Sequence, residues 1–173
     1  VAIPAGTGDV TLFNPADSRD ASAIDVVATI TNVTSTCTES DDQVVTNVQF
    51  DVQARRASAE GARTVTLPYF VTVVRGGSSV VAKRIENVTL TFAPGQLRAS
   101  TVGQGSSSIA RSGATLPEDV RRRLTERRQA GDADAAIDPL TDPNIRQTVL
   151  SATFETLVGF QLTEDQLRYN ATR

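Results

Sequence analysis

The fold is decided by residues 63–92, which read R-T-V-T-L-P-Y-F-V-T-V-V-R-G-G-S-S-V-V-A-K-R-I-E-N-V-T-L-T-F. Val, Thr, Tyr and Phe dominate both halves of this stretch, and these residues favour a pleated, half-buried surface. The halves meet at Gly76-Gly77, and adjacent glycines supply the positive φ angles of a tight reversal. The stretch therefore predicts a long β-hairpin, with residues 85–87 interrupting its second arm.

Working outward, the same alternation predicts further strands. In residues 44–56 the apolar side chains Val48, Phe50 and Val52 alternate with polar ones, so one face is buried and the other meets solvent. Similar patterns predict strands at 10–13, 23–36, 97–102 and 147–162. Six to eight strands with short early connections predict an all-β fold, an antiparallel β-sandwich of immunoglobulin or fibronectin-III-like type.

The 173 residues fit one domain with attachments. Residues 1–22 are rich in Pro, Gly and small polar residues, which predicts a flexible N-terminal tether. Residues 23–173 are predicted to form a single β-sandwich domain with a helical insert at about 104–146. The opening V-A-I-P-A-G-T-G-D suits a tether that follows a removed signal or a lipid-anchored residue.

Two helices are expected. Within the insert, the low-complexity residues 103–115 predict a flexible connection. A polar helix then follows, capped by Thr115 and ending near Gln129. A short second helix, capped by Thr163, ends the chain.

Composition excludes several function classes. The chain has no His, so a Ser-His-Asp or Cys-His catalytic set and zinc sites of the Cys/His type are impossible within it. Net charge is −3, which gives no global attraction to nucleic acid. We therefore predict a protein that is not an enzyme, with no catalytic residues, no cofactor, no metal and no nucleic-acid partner. The single thiol, Cys37, is predicted to be buried as a small hydrophobe, with a reactive or intermolecular cysteine as the alternative.

Two charged clusters are candidates for binding. Carboxylates at Glu39, Asp41 and Asp42, and others at 132–142, suggest a calcium loop, but the EF-hand spacing is missing. We interpret both groups as solvated turns. The basic cluster on the predicted helix is a candidate contact for an acidic partner or anionic lipid, with a solvated helix face as the alternative. Its residues are Arg121, Arg122, Arg123, Arg127 and Arg128.

Two stretches carry a resemblance. They are L-P-Y-F-V-T-V-V-R-G-G at 67–77 and F-E-T-L-V-G-F-Q-L-T-E-D-Q-L-R-Y-N at 154–170. Both resemble stretches of uncharacterised proteobacterial envelope lipoproteins. The resemblance implies a bacterial periplasmic or outer-membrane location and no activity. Such proteins carry a lipid-bearing Cys that this sequence does not contain, so the resemblance places any membrane anchor before Val1.

Three functional hypotheses follow. The first is a non-enzymatic, lipoprotein-like periplasmic module that works by protein–protein contact with another cell-envelope protein and meets the membrane only through an N-terminal anchor. The second is a β-sandwich that binds a small ligand or glycan through loops at one end. The third is a surface-fibre or pilin-like subunit completed by a neighbour's strand, with Val10–Phe13 as the mobile segment.

Overall fold

The computed structural model describes residues 1–126 and 137–172. Within them the chain is mostly β, with seven strands. They are β1 (Asp9–Phe13), β2 (Ile24–Glu39), β3 (Gln43–Arg56), β4 (Arg63–Arg75), β5 (Ser79–Phe92), β6 (Arg98–Ala110) and β7 (Phe154–Phe160). All strand pairs are antiparallel, in one sheet ordered β1-β2-β3-β6 and a second ordered β5-β4-β7.

The predicted hairpin is confirmed. β4 pairs with β5 from Arg63 opposite Phe92 to Arg75 opposite Ser79. Gly76 and Gly77 form its turn, at φ angles of 62° and 80° that side chains other than glycine disfavour. The predicted interruption at residues 85–87 is wrong, because β5 runs through them without a break. The register slips instead between Val73 and Val74.

The two sheets enclose one core, the arrangement expected of a β-sandwich. Both sheets contribute the alternating side chains that the sequence predicted, including Val26, Ala28 and Ile30 of β2. Most core side chains are aliphatic, and the largest fully buried ones are Phe50, Phe92, Phe160 and Leu90. The strand order differs from that of immunoglobulin domains. In those domains the second strand pairs with the fifth, whereas here β2 pairs with β3.

The prediction of a flexible connection at residues 103–115 is wrong for its first half, because β6 continues to Ala110. The glycines of this linker-like stretch are needed so that β6 can pack against the core. A Cβ atom on Gly103 would lie 2.3 Å from the ring of Phe50, and one on Gly105 would lie 2.6 Å from Cγ2 of Val71 in the facing sheet. Glycine therefore lets β6 approach the core closely.

Helix α1 (Glu118–Thr125) begins later than predicted. Pro117 occupies the cap position, and Thr115 does not cap, since its hydroxyl donates to the Arg111 carbonyl oxygen. The predicted end near Gln129 lies outside the described residues.

Helix α2 (Pro143–Ala152) lies where the first part of the predicted strand 147–162 was expected. The backbone N–H of Asn144 donates to the Asp142 side chain, which caps the helix, and Pro143 fits its first turn. Leu150 and Ala152 therefore belong to a helix, and only β7 keeps the predicted strand character.

Both chain termini pack against the sheets. Ala2 forms a parallel bridge with Leu157 of β7, and β1 pairs with β2, so residues 1–22 differ from the predicted free tether at these points. Helix α3 (Glu164–Ala171) begins with the predicted Thr163 cap, completed by Gln166 as a capping box. Asn170 then donates from its amide to the Asp9 carbonyl oxygen and fastens α3 to β1.

Candidate functional site

The predicted basic cluster lies partly on α1. Arg121 is ion-paired with Glu118, and Nη1 of Arg123 lies 3.5 Å from Oδ2 of Asp142, while Arg122 is exposed. Arg127 and Arg128 lie outside the described residues. Two of the three described arginines thus have carboxylate partners within the protein. The cluster remains a candidate contact whose described part is largely neutralised.

Two of the acidic residues considered as calcium ligands, Asp138 and Asp142, have local structural roles. The Asp138 carboxylate accepts the Leu140 N–H, and the Asp142 carboxylate accepts the Asn144 N–H, so both cap helical turns. Asp132 and Asp134 lie outside the described residues. Across residues 1–126 and 137–172, no group of three or more Cys, Asp or Glu side chains is placed to hold a metal ion.

A depression of about 540 Å³, here called the polar trough, crosses β2, β3 and β6. Most of the residues around it are of the hydroxyl and amide types. Register places these residues in three rows of direct neighbours, Thr34–Gln49–Gln104, Ser35–Val48–Gly105 and Thr36–Asn47–Ser106, and Glu86 of β5 completes the lining. Successive residues of a strand face opposite sides of a sheet, so the middle row faces the core with Val48, whereas Asn47, Gln49 and Gln104 are exposed together on the outer face. The lining includes one carboxylate and no aromatic ring.

Tyr69 lies beneath the wall of the trough. Its hydroxyl donates to the Gln104 carbonyl oxygen at 2.6 Å and lies 2.9 Å from Oε2 of Glu86. Burial, reinforced by the hydrogen bond to Glu86, raises the pKa of Tyr69 to about 12. The phenol therefore stays protonated near neutral pH and cannot serve as a general base there.

A second feature is the first half of β5, which exposes large apolar side chains. Val80, Val81 and Ile85 are 63%, 50% and 58% exposed, and we call these three residues the apolar arm. Two cations border it: Lys83, whose Nζ lies 5.1 Å from the ring centre of Phe70, and Arg84. The arm lies on an edge strand, since within residues 1–126 and 137–172 the only strand paired with β5 is β4.

The third feature is the second half of β2, residues 31–39. β1 pairs only with residues 24–29, so beyond that point β2 has β3 as its single strand neighbour among the described residues. We call residues 31–39 the free half of β2. Cys37 lies here and is exposed, with Sγ 3.6 Å from the Thr46 hydroxyl oxygen. The prediction of a buried thiol is wrong because the free half extends past the facing sheet.

The opposite end of the sheets is closed around Arg56, which is 2% exposed. Its guanidinium donates to five backbone carbonyl oxygens at 2.8–3.3 Å and lies over the Phe92 ring. The carbonyls belong to Ala59, Glu60, Gly61, Ala93 and Gln96. We call this group the arginine end; it ties the β3–β4 loop to the β5–β6 turn.

A nearby ion pair joins the sheets. Arg63 donates two hydrogen bonds to the Asp25 carboxylate, at 2.6 and 2.5 Å. The hydrogen bond from Arg63 lowers the pKa of Asp25. The pair borders a hollow of about 480 Å³ that Phe13 and Tyr169 also line. Phe13 and Tyr169 contact each other edge to face, which holds the C-terminal helix α3 against β1 beside this hollow. We therefore assign the Arg63–Asp25 ion pair a structural role.

Comparisons with known proteins give no relative. No family model, no curated protein and no solved structure matches the chain. Among the described residues, no helix combines the length and apolarity that a membrane span requires.

The sequence predicted few of these surface features. The exposed residues at the trough, such as Asn47 and Gln49, were recognised only as the polar face of a strand, and alternation within one strand does not show which strands lie beside it. The apolar arm was recognised as strand, but exposure depends on what covers it. The repeated small and hydroxyl residues of T-S-T at 34–36 and G-S-S at 105–107 were the available signal.

Proposed function

We propose that this protein is a non-enzymatic, lipoprotein-like module of the bacterial periplasm that acts by contact with another envelope protein. It meets the membrane only through an N-terminal anchor outside this chain. The fold proposed with this function is a β-sandwich, immunoglobulin-like in having two antiparallel sheets over one core and distinct in strand order. The observation that carries the contact is the apolar arm.

Exposed apolar residues on an edge strand favour association. Val80, Val81 and Ile85 are each half-exposed or more, and they lie within six consecutive residues of one strand. Covering such side chains stabilises a complex by roughly 1 kcal/mol each, on the scale of 1.5–3 kcal/mol for complete burial. Large apolar side chains that are exposed close together on a folded protein mark an interaction surface.

The charges beside the arm define the partner's chemistry. Lys83 and Arg84 lie between Val81 and Ile85 in the strand and are exposed. A complementary surface would offer an apolar groove flanked by carboxylates, since rim charges steer association and set specificity. The basic residues of α1 add to this preference for an acidic partner only through Arg122, because Arg121 and Arg123 already have partners.

The chemistry of the described residues favours a binding role over catalysis. The chain has no His, and the one phenol with a shifted pKa holds its proton more tightly than usual. A hydrolytic or proton-transfer site needs a group that titrates near the working pH. The exposed surfaces described above offer hydrogen bonds and apolar area instead.

The test is site-specific photo-crosslinking of the full chain in the cells that make it. A photoreactive residue at Val81 should form an adduct with one envelope protein, and the added change Ile85→Asp should abolish that adduct. The matched control is a photoreactive residue at Thr91, an exposed position at the far end of the same strand. Equal adducts at both positions, or recovery of the protein from the cytosolic fraction alone, would refute the proposal.

A glycan or small polar ligand is the second candidate, and the polar trough favours it. At the trough, Asn47, Gln49 and Gln104 expose their side-chain amides together on the outer face of the sheet, and such groups resemble those that bind sugar hydroxyls. The site lies on a sheet surface rather than on the loops first predicted. A glycan array should show binding that Asn47→Ala with Gln49→Ala removes, whereas Gln53→Ala, an exposed position farther along β3, should leave it unchanged. A silent array would dispose of this candidate.

The fibre hypothesis loses its proposed donor. Residues 9–13 already pair with β2 in their own sheet, so they are not a free strand for a neighbour. A subunit completed by strand addition would need a different open edge.

A further inference from the structure

The chain covers several sheet edges with its own segments. β7 exchanges backbone hydrogen bonds with the N-terminal segment: the Ala2 N–H donates to the Thr156 carbonyl oxygen, and the Phe160 N–H donates to the Thr7 carbonyl oxygen. β1 is held by Asn170 of α3. Along β2, the last bond to this neighbouring segment runs from Ile30 N–H to Gly8 at 2.8 Å. Beyond that bond the outer edge of the free half has no backbone partner among the described residues.

Beyond its bulge, the free half of β2 has no Lys or Pro to protect its open edge. A bulge separates Thr31 from Thr34, and residues 34–39 then pair regularly with β3. Residues 33–38 read V-T-S-T-C-T, with no Lys, Pro, Gly or charge. Thr and Val favour strands, whereas natural edges are commonly protected by Lys or Pro. The segment therefore has the backbone, the propensity and the neutrality required for strand addition.

We propose that the free half of β2 pairs with the same segment of a second copy, antiparallel and about a two-fold axis. The surface is self-complementary because residues 33–38 carry no charge, so no like charges oppose each other in the pair. Two four-stranded sheets would then join into one continuous sheet. This surface is separate from the apolar arm, so the inference stands or falls independently of the proposed function.

The space along the edge selects the register. β1 occupies the edge up to Ile30, and the copy must also fit its own β2–β3 turn, residues 40–42, into the remaining length. A two-fold axis at Cys37 places residues 35–39 opposite 39–35 of the copy, and the turn opposite 32–34. Each Glu39 then faces Ser35 of the copy. An axis at residue 35 would drive the turn into β1.

This register places each Cys37 directly opposite its counterpart. Both thiols are exposed on the same face of the joined sheet. Opposite residues in antiparallel strands have Cα atoms roughly 4.5–5.5 Å apart, within the range of about 4.4–6.8 Å found in disulfides. Cys37 thus reports on the register without being the source of the association.

The first experiment measures association of the full chain with its thiol reduced, by sedimentation equilibrium up to millimolar concentration. The wild type should form a reversible dimer. The double variant Thr36→Lys with Thr38→Lys places like charges opposite each other across the two-fold, and should raise the Kd at least tenfold. The matched control is Thr89→Lys with Thr91→Lys, two exposed threonines at the same spacing on β5, which should leave the Kd unchanged.

The second experiment adds oxidised glutathione to the wild type and both double variants. Two Cys37 thiols lose two protons and two electrons, one S–S bond forms between the copies, and the glutathione disulfide leaves as two thiols. The folded wild type should give the Cys37–Cys37 dimer at least tenfold faster than the Thr36/Thr38 variant. The control variant should match the wild type.

Three results would overturn the inference. A wild type that stays monomeric at millimolar concentration shows that the edge does not pair with itself. A dimer that tolerates the Thr36/Thr38 changes is formed by another surface, such as the apolar arm. A disulfide that forms equally fast in the urea-unfolded chain or in the Thr36/Thr38 variant results from random collision.

Discussion

The ladder of β2, β3 and β6 has two ends that are built from the same pairing and have opposite properties. At the arginine end, the facing sheet covers the ladder and Arg56 is buried among five carbonyl oxygens. At the other end, residues 34–39 continue the pairing with β3 beyond a bulge but are all exposed. Strand pairing is thus insufficient for burial, and the facing sheet determines which half supplies stability and which half is open to a partner.

The largest expected effect is at the arginine end. Arg56→Met removes a buried cation that satisfies five carbonyl oxygens, and we expect the free energy of unfolding to fall by about 4 kcal/mol. Arg56→Lys should retain only part of this stability, because one ammonium group cannot reach all five carbonyl oxygens. Urea denaturation measures both. The neighbouring exposed Arg55→Met is the control, and an equal loss there would show that Arg56 has no special role.

A smaller loss is expected where β6 passes the core. Gly103→Ala places a methyl group 2.3 Å from the Phe50 ring, and overpacking of this kind costs about 2 kcal/mol. Ser108→Thr adds one methyl group to the exposed part of the same strand, and its effect should stay within about 0.5 kcal/mol. If thermal denaturation gave equal shifts for the two variants, the two halves of β6 would not differ as described.

These strands show what the sequence can and cannot predict. The buried half of the ladder was predictable, because Val48, Phe50 and Val52 alternate with polar residues and this pattern has one physical cause. The continuation of β6 was not predictable from the sequence, because Gly103 and Gly105 lie in a stretch with the composition of a linker. Their role is visible only from their contacts with Phe50 and Val71. A close approach between strands that are distant in sequence leaves no periodic signal.

The surface features were hidden for a related reason. Cys37 alternates in β2 like its buried predecessors, and only the position of the facing sheet leaves it exposed. The start of α2 carried a signal that competed with the strand pattern, since Asp142-Pro143 is a helix start and Leu150 and Ala152 fit both periods. The predicted Thr163 cap, a local motif that needs no distant partner, is confirmed.

At the boundary between the halves, Tyr69 should contribute in a pH-dependent way. Tyr69→Phe removes the hydrogen bond to the Gln104 carbonyl oxygen and should cost about 1 kcal/mol at pH 7. The folded pKa of about 12 lies above the ordinary value of 10, so between these pH values the unfolded chain loses the Tyr69 proton while the folded chain keeps it. The wild type should therefore lose stability over that interval.

Urea denaturation from pH 7 to pH 12 measures the difference. The advantage of the wild type over Tyr69→Phe should shrink as pH rises above 10. Glu86→Gln removes a negative charge that helps to raise the pKa of Tyr69, so in that variant the loss of stability above pH 10 should be smaller. A constant difference between wild type and Tyr69→Phe over the whole range would show that the phenol titrates normally.

The smallest effect is expected at Cys37, and it separates exposure from burial most directly. A buried thiol packs as a hydrophobe, and its replacement by a hydroxyl costs stability. An exposed thiol does not pack in this way, so Cys37→Ser should change the free energy of unfolding by less than about 0.5 kcal/mol. A thiol reagent should modify the folded wild type without prior unfolding. Protection of the thiol in dilute monomer would contradict the exposed position, whereas protection that grows with protein concentration would indicate that β2 is covered by a second copy.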